Sequence, residues 1–405
     1  MYDVIVVGAR CAGSPTAMLL ARKGYRVLLV DKATFPSDTM SGQAIHARGG
    51  ACLKRWGVLE QVIATNCPAI TSVTLDFGPF SLIGPVLTVD GVAALYAPRR
   101  IILDHILVNA AVEAGAKLRK GFHVQELLMD GEQVTGIRGR SVQGMPFEEK
   151  ATLLVGADGM HSVVARAVQA PTYFEKPIFN CSYYAYWSGI SLEGIEIFPR
   201  DHRIILAIPT NDSKVLIAIQ WPRAEFDAIR RDIRGHFLET LEAYTPDLAN
   251  RVRQGTQVER FAGTGDLPNF FRKPYGPGWA LVGDAGHFKD PVLAHGISDA
   301  FHDAELLTEA IDSGLTGRWP MQEALADYER RRNETALPLY ELNCQMATLE
   351  PPPPEMQLLS IALRNNPAET SRYAAALAGT ISPAEFFAPE NLARIISDLR
   401  QKQAT

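Results

Sequence analysis

Val4-Ile5-Val6-Val7-Gly8-Ala9-Arg10-Cys11-Ala12-Gly13 is an aliphatic run that ends in a turn of mostly small residues. Four consecutive aliphatic residues suit a parallel strand buried on both faces. The turn runs to Ser14, Ala17-Met18-Leu19-Leu20 carries a helical stretch, and Gly24 stops it. Arg26-Val27-Leu28-Leu29-Val30 then reads as a second buried strand that ends on Asp31. Strand, glycine turn, helix, strand and terminal acid together predict a dinucleotide-binding βαβ unit. In such a unit the backbone N–H groups at the helix N-terminus point at a pyrophosphate, and the acid accepts from ribose hydroxyls. Gly8, Arg10, Cys11, Ala12 and Gly13 are the expected contacts in the turn, with Asp31 and the adjoining Lys32 at the strand end. Arg10 replaces the middle glycine of the fingerprint, and its guanidinium could itself face a phosphate. A bulky residue at Gly13 is expected to block the pyrophosphate.

Two more apolar runs end in the same way. Leu153-Leu154-Val155 leads into Gly156-Ala157-Asp158-Gly159-Met160-His161-Ser162. Trp279-Ala280-Leu281-Val282 leads into Gly283-Asp284-Ala285-Gly286-His287-Phe288-Lys289-Asp290-Pro291, followed by Gly296-Ile297-Ser298-Asp299-Ala300. The chain between these junctions has a different character. Asn180 to Ile190 is aromatic and alternates, with Tyr183, Ala185 and Trp187 on one face and Tyr184, Tyr186 and Ser188 on the other. Arg203–Ile208 and Val215–Ile219 flank the turn signal Asn211-Asp212-Ser213, the pattern of an antiparallel meander. The chain is helical in pattern after Leu306, with a rigid break at Pro351–Pro354.

The predicted class is α/β: a Rossmann-type domain on a parallel sheet, an inserted antiparallel-sheet substrate domain, and a helical C-terminal segment. The expected division is 1–75, 98–175 and 270–320 for the first, 76–97 and 176–269 for the second, and 321–405 for the third. A chain of 405 residues is long enough for this arrangement. A net charge of −5 without a basic block argues against nucleic acid. The first strand begins too early for a signal peptide, and no apolar run is long enough to span a bilayer. Five scattered cysteines without CxxC spacing predict reduced thiols in a cytoplasm and no zinc site. No His/carboxylate set has metal-ligand spacing either. The oligomeric state is left open.

In order and spacing, the glycine fingerprint, the Asp158-Gly159 motif and the Gly283-Asp284 motif resemble those of the class A flavoprotein monooxygenases, the p-hydroxybenzoate hydroxylase-like superfamily. The resemblance spans roughly residues 1 to 310. It implies FAD as cofactor and a role for each motif. Asp284 would accept from a ribityl hydroxyl, and Pro291 would lie against the flavin ring. Gly296, Ile297 and Ser298 would open a helix toward the pyrimidine edge, where the positive end of the helix dipole stabilises reduced flavin. Asp158 and Gly159 would serve FAD and the approach of a nicotinamide, although the arginine after the motif serine is displaced to Arg166. Arg100 would reach the cofactor from the start of a helix, and Val124 would add a contact. Gln43, beside Ser41-Gly42, and His295 are the candidate polar groups at the reacting centre, together with Pro291.

The implied activity is NAD(P)H-driven oxygenation of a small apolar or aromatic organic substrate through a flavin hydroperoxide. Only one complete βαβ unit with its acid is present. NADH or NADPH would therefore bind in a surface groove, or a separate flavin reductase would supply reduced flavin. Flavin-dependent halogenases and geranylgeranyl reductase-like enzymes use the same architecture. Phe288-Lys289-Asp290-Pro291-Val292 is similar to the halogenase third motif, but Ala294 stands where F-x-x-P-x-x-S-x-G has serine. None of the five tryptophans (Trp56, Trp187, Trp221, Trp279, Trp319) lies in a W-x-W-x-I-P context. An aromatic-lined inserted sheet favours a substrate cavity over a mere flavin carrier.

Overall fold

The computed structural model describes residues 1–364 and 366–403. β1 (Tyr2–Val7), α1 (Gly13–Arg22) and β2 (Val27–Asp31) form the opening unit. α2 (Ala47–Arg55) and α3 (Leu59–Ile63) lead to β3 (Ser72–Asp76) and β4 (Ser81–Pro85). α4 (Arg100–Glu113) returns the chain to β5 (Lys117–Lys120), β6 (Phe122–Asp130), β7 (Gln133–Ser141), β8 (Pro146–Gly156), α5 (Val163–Ala167) and β9 (Thr172–Lys176). A meander follows, β10 (Asn180–Ser188), β11 (Ile195–Arg200), β12 (Arg203–Thr210) and β13 (Lys214–Pro222). Then come α6 (Phe226–Ile229), α7 (Ile233–Tyr244), α8 (Pro246–Gln254), β14 (Thr256–Gln257) and β15 (Ala262–Thr264). β16 (Asn269–Arg272), β17 (Tyr275–Gly276), β18 (Trp279–Leu281) and β19 (His287–Phe288) precede the long helices α9 (Gly296–Leu315) and α10 (Met321–Ala347). α11 (Pro354–Leu363), α12 (Pro367–Leu377), α13 (Pro383–Phe386) and α14 (Pro389–Gln403) complete the described chain.

The first sheet runs β17-β18-β8-β1-β2-β5, with β1, β2, β5, β8 and β18 mutually parallel. Val4, Ile5 and Val6 at its centre have no exposed surface. Each such side chain contributes about 1.5–3 kcal/mol of burial free energy. β8 serves two sheets' worth of pairing: its first half is antiparallel to β7 and its second half parallel to β1. The second sheet runs β14-β10-β13-β12-β11-β3-β4, with β15 beside β10. It is antiparallel except where β3 meets β11. The boundary expected at residue 75 runs through β3. Leu75 packs with Leu82, Leu359, Leu363 and Phe386 in one apolar cluster, so the strand belongs with the second sheet and its helical cover. β9, β16 and β19 form a small third sheet.

The two faces of β10 have different tasks. Tyr183, Ala185 and Trp187 are core, packed with Trp221, Phe237 and Leu248 under α7 and α8. Tyr184 and Tyr186 lie on the opposite face, toward the segment Ser41–Gln43. Among the described residues no helix is long and apolar enough to cross a membrane. All five cysteines are free and buried.

The first turn is held by backbone contact. Gly8 has φ +102°, and a Cβ there would overlap the carbonyl of Ala157. A Cβ at Gly13 would overlap the carbonyl oxygen of Gly8 itself. Gly13 therefore lets α1 close onto its own turn, the packing role of the last fingerprint glycine, and its replacement acts before any ligand arrives. Gly13→Ala should lower the melting temperature of the cofactor-free protein, with a cost of about 1–3 kcal/mol or more. A cofactor-free melting curve equal to that of wild type, with only ligand affinity reduced, would instead assign Gly13 to the phosphates.

Candidate cofactor and substrate site

Asp31 fixes the first turn. One carboxylate oxygen accepts from the Ala9 N–H at 2.7 Å and the other from the Ala33 N–H at 2.7 Å. Each oxygen keeps a second lone pair for a ribose hydroxyl. Lys32 beside it is exposed, and Val124 on β6 is partly buried against the cluster that holds Val7 and Val30. Arg10, expected at a phosphate, pairs with Asp104 on α4 and donates to Ser37 Oγ at 3.1 Å. Arg100 is 6% exposed, so it is no surface helix start. It grips the same carboxylate through Nε at 3.1 Å and Nη2 at 2.9 Å, and its Nη1 donates to Ser41 Oγ. Cys11 completes the group, with Sγ 3.4 Å from Asp104 Oδ1. Burial and the adjacent carboxylate push the Cys11 thiol far above its usual range, so it stays protonated.

The second junction is mainly a cap. Asp158 accepts from Ser162 Oγ at 2.5 Å and from the Val163 N–H at 2.6 Å, closing the start of α5. Burial raises its pKa against the pull of these bonds. Gly159 has φ +82° and open space around it. Arg166 turns back to the carbonyl of His161. Arg272 on β16 links the junctions, donating to Met160 O and to Ala285 O, each at 3.1 Å.

At the third junction Gly283 (φ +60°) lies against Ala12, so the third motif touches the first. The Asp284 carboxylate receives no hydrogen bond from any described residue, although burial, opposed by His287 and Arg100, raises its pKa to about 6. Lys289 and Arg48 both pair with buried Asp299. Asp290 caps the turn Pro291–Leu293 through Val292 N–H at 3.0 Å. Gly296 is exposed between buried neighbours at the N-terminus of the 20-residue helix α9, with nothing within 4 Å of where a Cβ would stand. Ile297 is buried, and Ser298 Oγ accepts from the His46 N–H at 3.1 Å, joining α9 to α2.

His295 and Gln43 face protein partners. His295 is 1% exposed and donates from Nε2 to Leu377 O at 2.7 Å, tying the motif loop to α12. Desolvation and the nearby Lys289 hold it well below the usual histidine range, so it is neutral. Gln43 donates to Tyr186 Oη and accepts from Thr210 Oγ1, which fastens the second sheet to the first domain. His46, neutral because burial lowers its pKa to about 4, donates to Leu293 O at 2.9 Å.

A cavity of about 1290 Å³ opens on the far side of the loop. Val292, Leu293 and Ala294 form one wall, Ile195, Ile197 and Leu206 of the second sheet another, and Met356 and Leu377 close it from the C-terminal helices. The cations that line it are each paired: Arg200 with Asp76, Arg203 with Glu225, and Lys176 with Glu341. Sequence reasoning missed Asp104, Arg272 and the cavity's C-terminal wall. Asp104 was within reach, because Arg100 and Asp104 stand at i,i+4 on one helix face.

Residues 1–341 match the model of a family described as an FAD binding domain. A tryptophan 2-halogenase of Chondromyces crocatus is 27% identical over 81% of this chain and 64% of its own length. The 6-methylpretetramide 4-monooxygenase of Streptomyces rimosus is 27% identical over 82% of this chain and 81% of its own. A digeranylgeranylglycerophospholipid reductase of Methanocella arvoryzae is 24% identical over 82% and 83%. The solved structure of the flavin-dependent brominase Bmp2 superposes with a TM-score of 0.81 at 19% identity, covering 100% of this chain and 99% of that one.

Two substitutions probe the site. Asp104→Ala leaves buried Arg100 without its counter-charge and should destabilise the protein by about 3–5 kcal/mol; a loss under about 1 kcal/mol in chemical denaturation would show the trio to be incidental. Burial holds the folded pKa of Asp284 at about 6, above the ordinary 3.8 of an aspartate. Its ionisation therefore costs stability, nothing below that value and progressively more up to about pH 6, reaching at most about 3 kcal/mol. Cofactor-free Asp284→Asn should melt above wild type at pH 7.5, with the gap closing as pH falls toward 4, and should bind FAD more weakly. A gap that ignores pH contradicts the desolvated carboxylate.

Proposed function

We propose that this chain, which belongs to the FAD binding domain family, is an FAD-dependent monooxygenase acting on an apolar organic substrate held in the cavity against Val292, Leu293 and Ala294. The carrying observation is the turn Pro291–Leu293 and the residue after it. Three small or aliphatic side chains, none with a hydroxyl or charge, stand between the third motif and the apolar cavity.

The residues present fit FAD. Gly296 is exposed at a helix N-terminus, the Asp284 carboxylate receives no hydrogen bond from the described residues, and the Gly8–Gly13 turn presents the start of α1. In this reading the α1 turn holds the pyrophosphate, Asp31 and Lys32 hold the adenosine end, and Asp284 orients the ribityl chain. Arg100 and Val124 act nearby, and Gly296–Ser298 meet the ring. When bound, FAD supplies two-electron redox chemistry and reaction with dioxygen. The chain's own part is to orient and to keep water out: Val292, Leu293 and Ala294 desolvate the reacting face. Gln43 and His295 act as positioning groups, Gln43 by aligning the second sheet and His295 by holding α12 over the cavity. Electrons come from NADH or NADPH, directly or through a separate flavin reductase, and the buried free thiols suit a cytoplasmic setting.

One assay separates the three family chemistries. The holoprotein is reduced without oxygen, offered apolar candidate substrates, and exposed to oxygen-18 gas with and without halide. Label in the product is expected. Product formed without oxygen means a reductase, and product formed only with halide means a halogenase despite Ala294.

A further inference from the structure

Five buried polar side chains meet behind the third motif. Asp290 is 1% exposed, and Asn180, Gln220, Asn269 and Asn343 are exposed by at most 6%. Each amide contacts Asp290. Gln220 Nε2 donates to Oδ1 at 3.4 Å, Asn343 Nδ2 donates to the Asp290 carbonyl at 2.8 Å, Asn269 Oδ1 accepts from the Asp290 N–H at 2.9 Å, and Asn180 bonds its carboxyl. Among the described residues four oxygens in this cluster have no partner: Asp290 Oδ2, Asn180 Oδ1, Gln220 Oε1 and Asn343 Oδ1. Turning over Asn180 or Asn343 does not help. Asn180 and Asn343 both donate to backbone carbonyls, which accept only, so their oxygens must stay where they are. Unpaired buried acceptors cost about 1–3 kcal/mol each, and every one here calls for a hydrogen. The groups that supply it are a proton on Asp290 and ordered water.

A turn cap needs only one oxygen, and asparagine caps as well as aspartate without burying an ionisable group. Phe179, Val292 and Cys344, the chain neighbours of this cluster, all line the cavity. We propose that Asp290 is the proton store of the reacting centre, holding a proton on Oδ2 and passing it through water bound at the orphan amide oxygens. The step rests on the monooxygenation proposed above. There, one oxygen atom of dioxygen enters the substrate, the other leaves as water, the nicotinamide supplies the electron pair, and one net proton is drawn from solution. The O–H bond of Asp290 breaks as an O–H bond forms on the relay water. That water releases its own proton to the departing oxygen, and the carboxylate regains a proton from solvent by way of the cavity.

Burial raises the Asp290 pKa to about 7, against hydrogen bonds from Asn180, Val292 and Gln220 that lower it. β10, β13 and β16 present only amides to it. α10 presents Cys344, whose thiol burial pushes up to about 12. Lys289 next in the chain is taken by Asp299, and Lys176 and Glu341 pair with each other at the rim. The store is therefore filled below about pH 7 and emptied above it.

The test uses FAD-loaded protein. Infrared difference spectra between pH 6 and 8.5 should show the carbonyl band of a protonated carboxyl that is missing in Asp290→Asn. Dioxygen-driven reoxidation of dithionite-reduced holoprotein should slow as pH rises through about 7. Asp290→Asn should reoxidise at least about tenfold more slowly at pH 6, with no such limb. Gln220→Leu removes a donor to the charged form and should move both the band and the limb upward by roughly 0.5–1 pH unit. No band, or a band with a rate that ignores pH in wild type, overturns the proposal. If the oxygen-18 label never reaches a product while band and limb both persist, monooxygenation fails and the proton store stands.

Discussion

The carboxylate of Asp104 holds the two halves of the site in register. It is fully buried and accepts from Arg10 in the first turn and from Arg100 at the start of α4. The free ends of those guanidiniums seize Ser37 and Ser41, so the segment between them is strapped down at both ends. That strap continues into Gln43, which holds Tyr186 on the second sheet, and into His46, which holds Leu293 of the third motif. Dinucleotide turn, second sheet and motif loop thus share one chain of hydrogen bonds. A buried ion group contributes little net stability, but removing one member is costly. Its return here is geometric: it sets where the strap can lie.

The third motif carries a heavier structural load than a cofactor contact requires. Over residues 283–298 it touches Ala12 of the first turn, the Met160 junction through Arg272, α2 through Ser298, α12 through His295 and α10 through Asn343. Most of its polar atoms are consumed by these ties. Among the described residues the Asp284 carboxylate receives no hydrogen bond, Asp290 Oδ2 is unpartnered, and Gly296 stands exposed with open space around it. Function at this loop is what packing has not used.

The fold was legible where a short pattern determines a local structure. The buried strands β1, β2, β8 and β18 could be read from apolar runs, and the meander β12–β13 from alternation around Asn211-Asp212-Ser213. β3 and β4 were not, because Ser72–Asp76 gains its strand character by pairing with β11, more than a hundred residues away. The site shows the same limit. Motif spacing marks Asp31, Asp158, Asp284 and Pro291, yet it cannot tell that Asp158 spends its oxygens on a cap while Asp284 keeps both free. The aromatic alternation of β10 was visible, but which face is core depends on α7 and α8. The cavity wall formed by α11 to α13 has no motif, since any well-packed apolar helix could serve.

Charge explains why the trio at Asp104 and the orphan at Asp284 belong to one design. Two guanidiniums share one carboxylate in the first cluster, and Lys289 and Arg48 share Asp299 in the second. Arg100 and Lys289 both lower the pKa of Asp284, which places that carboxylate within the field of both clusters. A surplus positive charge in a buried trio is unfavourable unless an anion answers it. Asp284 stands in that field, but its ionisation is penalised by burial. In the proposed complex a pyrophosphate would bring negative charge to the turn where Arg10 sits, and Asp284 would accept from neutral hydroxyls. Binding in that way would relieve two costs at once, the unanswered cation and the unpartnered carboxylate, and would stabilise the fold by mass action.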